Sequence, residues 1–348
     1  MTTVCLGADT IGYPEGGGHL WAYLNWALGL REAGCRVLWL ERDGGEQAEG
    51  LRSRLAHFGL AESLVLWSEV EAAWEASDLL LNLQYSLPPA TVSGFRRSAL
   101  LDIDPGLTQY WIASGGLDPA PHDLRFTIGE AAAVDGWLFT PPCVALGAWP
   151  VSPAAPGAAF TTVSHWANDE WVEEPDGSMY PNDKRTAFLP YLELPRLVEQ
   201  PLELAVYLTE RQADEDDRRS LLDRGWRVVN SVDVASTPQD YRRYVQSSLG
   251  EWSAAKPSCL RGRNGWISDR TLCYLASGKP AVVEHTGPSR LLPDGGGVWR
   301  FRTPAEAARC LEHVAADYER QCRLARQLAE ERFDARAVVT RLLEQALD

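Results

Sequence analysis

The side chains best suited to bind phosphate are concentrated in one short segment, residues 256–270. Its cations are Lys256, Arg261, Arg263 and Arg270. Ser268 is placed to cap the helix that we predict after it, and the first N–H groups of a helix bind anions. Cations and helix N–H groups together stabilise the negative charge of a diphosphate. We predict that all five residues contact a diphosphate; the alternative is that the arginines are ordinary solvated side chains.

Four neighbouring residues extend this predicted site. Trp266 can support a nucleobase or a ribose, although a tryptophan in a strand-to-helix turn packs into the core at least as often. Asp269 is placed to hold one of the arginines in position. Thr286 and Gly287 follow a predicted strand, and open α/β sheets bind ligands at the carboxyl ends of their strands. We expect these two residues to supply further ligand contacts.

A candidate general base lies near the other end of the chain. His19 follows three glycines and opens a predicted helix, where the helix dipole favours the neutral imidazole that can accept a proton. Asp104 is our choice for the carboxylate that orients it, with Asp102 as the alternative. Gly17 and Gly18 allow a ligand to approach the backbone closely. In the simpler alternative, His19 caps the helix or binds phosphate and Asp104 only shapes a turn. His122 and His165 are weaker candidates for the base.

Composition excludes several classes of function. A net charge of −15 disfavours nucleic acid and anionic membranes as partners, because both require concentrated positive charge. No apolar run approaches the roughly 20 residues that span a bilayer. Seven cysteines without a CxxC pair predict reduced thiols rather than a disulfide framework or a zinc site. The start of the sequence has no secretory pattern. We expect a cytoplasmic protein without a membrane span.

The order of predicted elements indicates two α/β sheets. A strand at 2–7, a glycine loop, a helix at 19–33 and a strand at 36–41 form a βαβ unit. Further strands and helices follow, and a second alternating series begins at residue 202. Its predicted elements are helix 214–224, strand 226–230, helix 238–247, segment 249–254, helix 268–276 and strand 281–284. We place the domain boundary near 189–201, where two prolines precede the new series; the Pro- and Ala-rich segment 141–160 is an alternative.

These features together resemble the GT-B glycosyltransferases, and the resemblance covers most of the chain. The segments that carry it include GGGHLWAYLNWALGLREAGCRVLWLE, DIDPGLTQYW, HDLRFTIGE, GWRVV, NGWISDRTLCYLASGKPAVVEHTG and EERFDARAVVTRLL. The resemblance implies two Rossmann-like, doubly wound α/β domains that face an interdomain cleft, with a C-terminal helix crossing back to the first domain. We expect an N-terminal acceptor-side domain at 1–195, a nucleotide-sugar domain at 196–325 and the returning helix at 326–348.

The resemblance also implies an activity. A GT-B enzyme transfers a sugar from a nucleotide-diphosphate sugar, here to a small-molecule or peptide acceptor, and typically needs neither a metal ion nor another cofactor. His19 resembles the base position of inverting members. Many retaining members place a ribose-binding glutamate on the helix that follows Ser268, and the corresponding residue here is Cys273. Glu284 is a substitute for that glutamate, although an acidic residue at a strand end is as often a surface residue.

Three other functions remain open. Glycines after the first strand and Glu41 at the end of the second imitate the dinucleotide fingerprint of an NAD-dependent oxidoreductase, but the glycine spacing is not GxGxxG and the loop is long. A nucleotide-sugar epimerase would use the same fold without an acceptor. A sugar-binding protein without catalysis would bind the donor without turnover. Product analysis distinguishes these possibilities from a transferase.

Overall fold

A computed structural model describes residues 1–132, 136–168, 170–173, 176–209 and 211–348. The chain divides into two compact units. Unit 1 contains Met1–Ala145 and Phe333–Asp348, and unit 2 contains Leu146–Arg332.

Within the described residues, unit 1 is built on a seven-stranded parallel sheet with the order β3-β2-β1-β4-β5-β6-β7. Its strands are β1 (Thr3–Gly7), β2 (Arg36–Glu41), β3 (Leu64–Leu66), β4 (Leu79–Asn82), β5 (Ser98–Asp102), β6 (Leu124–Thr127) and β7 (Leu138–Phe139). Its first helices are α1 (Gly17–Glu32), α2 (Glu46–Ala56), α3 (Val70–Ala76), α4 (Pro89–Ser93) and α5 (Pro105–Ala113). Strands such as β4 are apolar and buried along their length, as expected where helices cover a parallel sheet.

In the described part of unit 2, a six-stranded sheet has the order β12-β11-β8-β13-β14-β15, and all its pairings are parallel. The strands are β8 (Phe160–His165), β11 (Leu202–Tyr207), β12 (Arg227–Asn230), β13 (Gly250–Ser253), β14 (Ala281–Glu284) and β15 (Val298–Phe301), with an antiparallel hairpin of β9 (Trp171–Glu173) and β10 (Met179–Pro181). The helices are α6 (Lys184–Phe188), α7 (Gln212–Leu222), α8 (Ser231–Ala235), α9 (Pro238–Ser247), α10 (Pro257–Gly262), α11 (Asp269–Ala276), α12 (Pro304–Ala316) and α13 (Tyr318–Arg332).

The last helix, α14 (Ala335–Leu347), belongs to unit 1, where it packs on α1. The two helices approach closely at Gly29, because a Cβ atom there would lie 2.7 Å from the Cβ of Ala335. The return is fixed by backbone bonds, in which Val144 N donates to Phe333 O at 2.8 Å and Ala335 N donates to Val144 O at 3.0 Å. Short 3₁₀ turns complete the described structure at Ala61–Ser63, Trp67–Glu69, Glu130–Ala132, Leu146–Ala148, Leu189–Tyr191 and Leu194–Arg196.

The division between the units differs from the boundary expected at residue 195. Strand β8 pairs with β11 in the register Phe160 to Leu202, and with β13 in the register Phe160 to Gly250. Strand β8 therefore belongs to the sheet of unit 2, and this unit begins at Leu146. The Pro- and Ala-rich segment 141–160, the alternative boundary, contains the change of unit.

Candidate functional site

The order of strands in unit 2 reverses between β8 and β13, which are neighbours although distant in sequence. The two strands pair at Phe160–Gly250 and Thr161–Glu251, near their amino ends. Ligands of open α/β sheets bind outside the carboxyl ends of the strands at such a reversal. The side chains near Val163 and Ser253 therefore mark the candidate site of this unit.

Arg270 braces these two strands. Its Nη1 donates to the backbone oxygen of Val163 at 3.0 Å, and its Nη2 donates to Ser253 Oγ at 2.6 Å. Its Nε donates to Oε1 of Glu251 at 2.7 Å, and the side chains of Arg270 and Glu251 are 11% and 0% exposed. The carboxylate that pairs with Arg270 is Glu251, and the role of Asp269 in holding one of the arginines stays a prediction. Arg270 thus has a structural role that the sequence did not indicate, and its phosphate contact stays a prediction.

A buried lysine that sequence reasoning missed lies beside Arg270. Lys184 is 8% exposed, and its Nζ donates to the backbone oxygen of Ala254 at 2.5 Å. It is the first residue of α6, whose N-cap Asp183 accepts a bond from Thr186 N at 2.7 Å. Burial and the nearby charge of Arg270 lower the pKa of Lys184 to about 7. A bound anion would favour the charged ammonium form, so this residue is suited to a phosphate group.

These two cations line a small cavity. The other polar side chains around it include Ser253, Ser268, Glu284 and Thr286, and Trp266 forms part of its wall. Its volume is about 20 Å³, which accommodates a single water-sized group. A single oxygen or hydroxyl of a larger ligand therefore fits the cavity.

Glu284 is held in this cavity from two sides. Tyr191 Oη donates to its Oε1 at 2.6 Å, and the backbone N–H of Ala255 donates to its Oε2 at 2.9 Å. Tyr191 itself lies against Trp252 and Phe301, with ring centroids 5.5 Å and 5.2 Å away. Burial raises the pKa of Glu284 above its ordinary value. Cys273, at the position of the expected ribose-binding glutamate, is fully buried in α11.

The start of α11 has the predicted geometry. Ser268 caps the helix, and its Oγ accepts a bond from Arg270 N at 3.3 Å. Thr286 Oγ1 donates to the backbone oxygen of Trp266 at 2.5 Å, which ties the loop after β14 to the loop before α11. Gly287 has a φ of +134°, and a Cβ atom there would lie 2.3 Å from the backbone oxygen of Arg263. Only glycine fits this crossing of two loops.

The other three predicted cations of segment 256–270 do not line this cavity. Lys256 Nζ is 3.2 Å from Oε2 of Glu170, which lies beside the β9–β10 hairpin. The guanidinium of Arg261 lies 4.0 Å from the ring centroid of Tyr180. Arg263 is exposed and adopts a left-handed conformation with a φ of 45° at the end of α10. The charges of Lys256 and Arg261 thus stabilise the hairpin, and a phosphate contact by any of the three stays a prediction.

In unit 1, His19 lies in the first turn of α1, after the half-buried Gly18 and the buried Gly17. Its Nε2 is 2.7 Å from the backbone oxygen of Asp9. A carbonyl only accepts hydrogen bonds, so Nε2 carries the proton and Nδ1 is the basic atom of the neutral ring. The rings of Tyr13 and Tyr23 lie 4.4 Å and 5.4 Å from the imidazole. These contacts fix the orientation of the ring.

The two aspartates proposed to orient His19 lie at the end of β5. Asp102 is fully buried, and its carboxylate accepts bonds from Thr127 Oγ1 at 2.9 Å, Gln109 Nε2 at 3.4 Å and Asp104 N at 3.0 Å. Burial raises the pKa of Asp102 to about 6. Asp104 is the residue immediately before α5. His19 Nε2 donates to the Asp9 backbone oxygen, so this carbonyl orients the ring where Asp104, or Asp102 as the alternative, was expected to do so. Any other role of the two aspartates in catalysis stays a prediction.

Three further candidates have structural partners. Glu41, the acidic residue of the dinucleotide hypothesis, is fully buried and accepts bonds from Thr10 N at 2.7 Å and Thr10 Oγ1 at 2.9 Å. Burial raises the pKa of Glu41 to about 7. It holds the loop after β1, a role that does not favour binding of a dinucleotide ribose. His122 is buried against Asn82, with Nε2 3.0 Å from Asn82 Nδ2, and the His165 ring lies 5.3 Å from that of Tyr207.

The described residues contain no group of three or more His, Cys, Asp or Glu side chains arranged to hold a metal ion. No helix among them combines the length and apolar character needed to cross a bilayer.

Comparison with known proteins relates the chain to solved structures. No family model and no curated protein sequence matches it. Anabaena HepE in complex with UDP-glucose is 12% identical with a TM-score of 0.63, and each chain is covered to 99%. Sucrose-phosphate synthase from Thermosynechococcus elongatus is 12% identical with a TM-score of 0.60, at 99% and 98% coverage. AviGT4, a glycosyltransferase of avilamycin A biosynthesis, is 15% identical with a TM-score of 0.59, at 99% and 97% coverage. In each of these comparisons the likeness covers at least 97% of either chain, and it confirms that this chain has the GT-B fold.

Proposed function

We propose that this protein is a glycosyltransferase that binds a nucleoside-diphosphate sugar at the carboxyl ends of the unit 2 strands. The observation that carries the proposal is the buried ammonium of Lys184 at the reversal of strand order, beside the capped start of α11. The likeness to solved glycosyltransferases, one of them in complex with UDP-glucose, supports the same assignment.

The electrostatics of the site suit a leaving diphosphate. When the bond between the sugar and its phosphate breaks, negative charge accumulates on the diphosphate. Lys184 and Arg270 are two cations at the cavity, and the first N–H groups of α11 add partial positive charge. Stabilisation of this kind requires no metal ion, and we propose metal-independent transfer without another cofactor. Ser268, Thr286 and Gly287 remain the proposed loop contacts.

His19 is the proposed base. Its Nδ1 accepts the proton of an acceptor hydroxyl while the acceptor oxygen bonds to the anomeric carbon and the bond from that carbon to the phosphate oxygen breaks. The hydrogen bond to the Asp9 carbonyl keeps the proton of the neutral ring on Nε2 and leaves Nδ1 basic.

The proposed acceptor is a small molecule or a peptide. One structural relative is an alpha-glucosyltransferase in complex with UDP-glucose and DNA, 9% identical with a TM-score of 0.64. Binding to a nucleic-acid backbone needs a positively charged surface, whereas this chain carries a net charge of −15. We therefore propose that DNA is not the acceptor here.

The test is a panel of nucleotide sugars and their nucleoside diphosphates, measured by calorimetry and followed by product analysis. We expect one nucleoside diphosphate to bind and the matching nucleotide sugar to be consumed only together with an acceptor. Isomerisation of the sugar without an acceptor would show an epimerase. If no nucleoside diphosphate of the panel binds, the proposed function is wrong.

A further inference from the structure

We infer that Glu41 positions and activates His19 through the peptide group between Asp9 and Thr10. The inference rests on the proposed function, in which His19 is the general base. Glu41 is fully buried and acts on the imidazole through the backbone, so it is a positioning residue that touches no substrate.

One peptide group connects the two side chains. Its N–H, which belongs to Thr10, donates to Oε2 of Glu41 at 2.7 Å. Its carbonyl, which belongs to Asp9, accepts the bond from His19 Nε2, also at 2.7 Å. Both distances lie at the short end of the range for N–H···O bonds. A carboxylate that attracts the N–H proton increases the negative charge on the carbonyl oxygen of the same peptide, so the two bonds strengthen each other.

The connection favours the proton transfer that the base performs. When Nδ1 of His19 takes up a proton from an acceptor, the ring becomes a cation, and a negatively polarised oxygen at Nε2–H stabilises that cation. A carboxylate in direct contact with a catalytic histidine has the same effect on the ring. Here the Asp9 carbonyl occupies that place, and the carboxylate of Glu41 lies one peptide group behind it.

Burial strengthens the connection. Glu41 and Thr10 are 0% and 1% exposed, so water neither competes for the N–H group nor screens the carboxylate. Oε2 accepts a second bond from Thr10 Oγ1 at 2.9 Å, and Oε1 accepts one from Arg42 N at 3.2 Å. These three donors fix the carboxylate in its ionised form, which can accept all of them. Burial raises the pKa of Glu41 to about 7, so the carboxylate is the main form above that pH.

The charged and titratable groups around Glu41 include Asp9, Arg42, Arg54 and Tyr23. Asp9 Oδ1 lies 3.6 Å from Arg42 Nη2, so the charges of this pair largely offset each other. Burial, together with the negative charges of Asp9 and Glu41, raises the pKa of Tyr23, and its hydroxyl stays neutral. All four groups are retained when Glu41 alone is replaced, so a Glu41 variant measures the effect of its own charge.

The first experiment observes His19 by NMR in protein labelled with nitrogen-15 histidine. The chain has six histidines, and comparison with His19→Gln identifies the resonances of His19. Above pH about 8, where Glu41 is ionised, we expect the neutral ring of the wild type to carry its proton on Nε2. In Glu41→Gln we expect this proton to shift upfield and to exchange faster with water, because its hydrogen bond is weaker.

The second experiment measures transfer at the same pH, with the nucleotide sugar that the panel identifies. Glu41→Gln keeps the size of the side chain and an oxygen that can accept the Thr10 N–H bond, but it removes the charge. We expect kcat to fall about 10-fold, a part of the usual effect of a charged hydrogen bond because the charge acts through a peptide. UDP affinity should not change, since the donor binds to unit 2.

Asp123→Asn is the matched control. Oδ2 of Asp123 accepts bonds from Ser98 N at 2.8 Å and from Ser98 Oγ at 3.1 Å, the arrangement that Glu41 makes with Thr10. Ser98 begins β5 at its amino end, whereas Glu41 lies at the carboxyl end of β2. The control should leave the His19 resonances and kcat at their wild-type values.

Thr10→Val distinguishes a connection through the peptide from simple anchoring of the loop. This variant loses the Oγ1 bond to Glu41 but keeps the N–H bond and the charge of the carboxylate. A connection through the peptide requires a smaller loss of kcat in Thr10→Val than in Glu41→Gln. If Glu41 only anchors the loop, the two variants lose kcat to the same extent, and the inference is wrong.

The outcomes separate the inference from the proposed function. If Glu41→Gln leaves the His19 resonances and kcat unchanged, the inference is wrong and the proposed function stands. If Glu41→Gln does not fold, a wild-type neutral ring with its proton on Nδ1 overturns the inference in its place. If no nucleotide sugar is consumed, the proposed function is wrong, whereas the NMR comparison still decides whether Glu41 acts on His19.

Discussion

The buried charged groups near the carboxyl ends of the strands differ between the two parallel sheets. In unit 1 they include the carboxylates of Glu41 and Asp102. In unit 2 the cations Lys184 and Arg270 line the cavity together with the carboxylate of Glu284. Since a diphosphate requires positive charge, this difference supports the proposal that the donor binds to unit 2, although both units have the same layered architecture.

The two edges also differ in how their buried charges are satisfied. Glu41 accepts two bonds from Thr10 and one from Arg42 N at 3.2 Å, so its carboxylate is used to hold a loop of its own unit. An ammonium has three N–H groups, and one of those of Lys184 points to the Ala254 carbonyl while the side chain lines the cavity. Glu41 thus holds a loop of unit 1, whereas we propose that Lys184 presents its charge to a ligand of unit 2.

The largest expected effect is the loss of transfer activity when the proposed base of unit 1, His19, is replaced. In His19→Gln the side-chain amide can still donate to the Asp9 carbonyl but cannot accept a proton at neutral pH. We expect the transfer rate to fall by about 10²- to 10⁴-fold, as is typical for loss of a general base, with UDP affinity unchanged. Steady-state kinetics and calorimetry measure the two quantities. The exposed His57 provides the control variant His57→Gln, which should match the wild type. Normal turnover of His19→Gln would remove His19 from the mechanism.

A smaller effect concerns the brace between β8 and β13. Arg270→Met leaves the fully buried Glu251 without its cation, and we expect the free energy of unfolding to decrease by about 3 kcal/mol. Chemical denaturation measures this change. Arg300→Met is the matched control: Arg300 is 5% exposed, but its partner Asp294 is 71% exposed and can be hydrated after the substitution. We expect the control to lose about 1 kcal/mol. Equal losses for the two variants would contradict the structural role assigned to Arg270.

We expect the lowered pKa of Lys184 in unit 2 to make UDP binding depend on pH. Burial lowers the pKa of Lys184 from 10.5 to about 7, so between these values the unfolded chain binds more protons than the folded chain. The contribution of this residue to the free energy of unfolding therefore rises with pH across that interval. UDP binding shows the reverse trend because the diphosphate favours the ammonium form. We expect UDP affinity to fall roughly tenfold between pH about 6.5 and about 8.5.

Calorimetry across this pH range tests the expectation, with Lys184→Arg as the control. A guanidinium remains charged throughout, so the variant should show little pH dependence. A pH-dependent fall that persists in Lys184→Arg would show that another group titrates.

The sequence predicted most of the elements because they depend on local patterns. Helix α9 and strands β2 and β14 have the predicted bounds, and α11 begins directly after the predicted cap Ser268. Strand β8 was missed, and the error displaced the domain boundary. Its sequence, FTTVSH, contains polar residues that become buried only when β11 and β13 flank the strand.

The site was predicted less completely because its side chains are brought together from positions far apart in the sequence. Lys184 follows Asn182 and Asp183 whereas Lys256 follows two alanines, and neither local sequence distinguishes an ion pair from a buried ligand contact. Lys184 becomes buried through contact with Ala254, which lies 70 residues later in the chain. The resemblance to GT-B proteins directed attention to α11, whose role in binding stays a prediction, whereas burial of Lys184 depends on tertiary packing.

The measurement that tests the central claim most directly is calorimetric titration of UDP into Lys184→Met and Lys256→Met. The two substitutions remove the same charge from the same unit, but Lys256 is paired with Glu170 whereas Lys184 lines the cavity. We expect UDP affinity to fall about 100-fold in Lys184→Met and less than about threefold in Lys256→Met. Equal affinities in the two variants, or a larger loss in Lys256→Met, would contradict the assignment of the diphosphate site to Lys184.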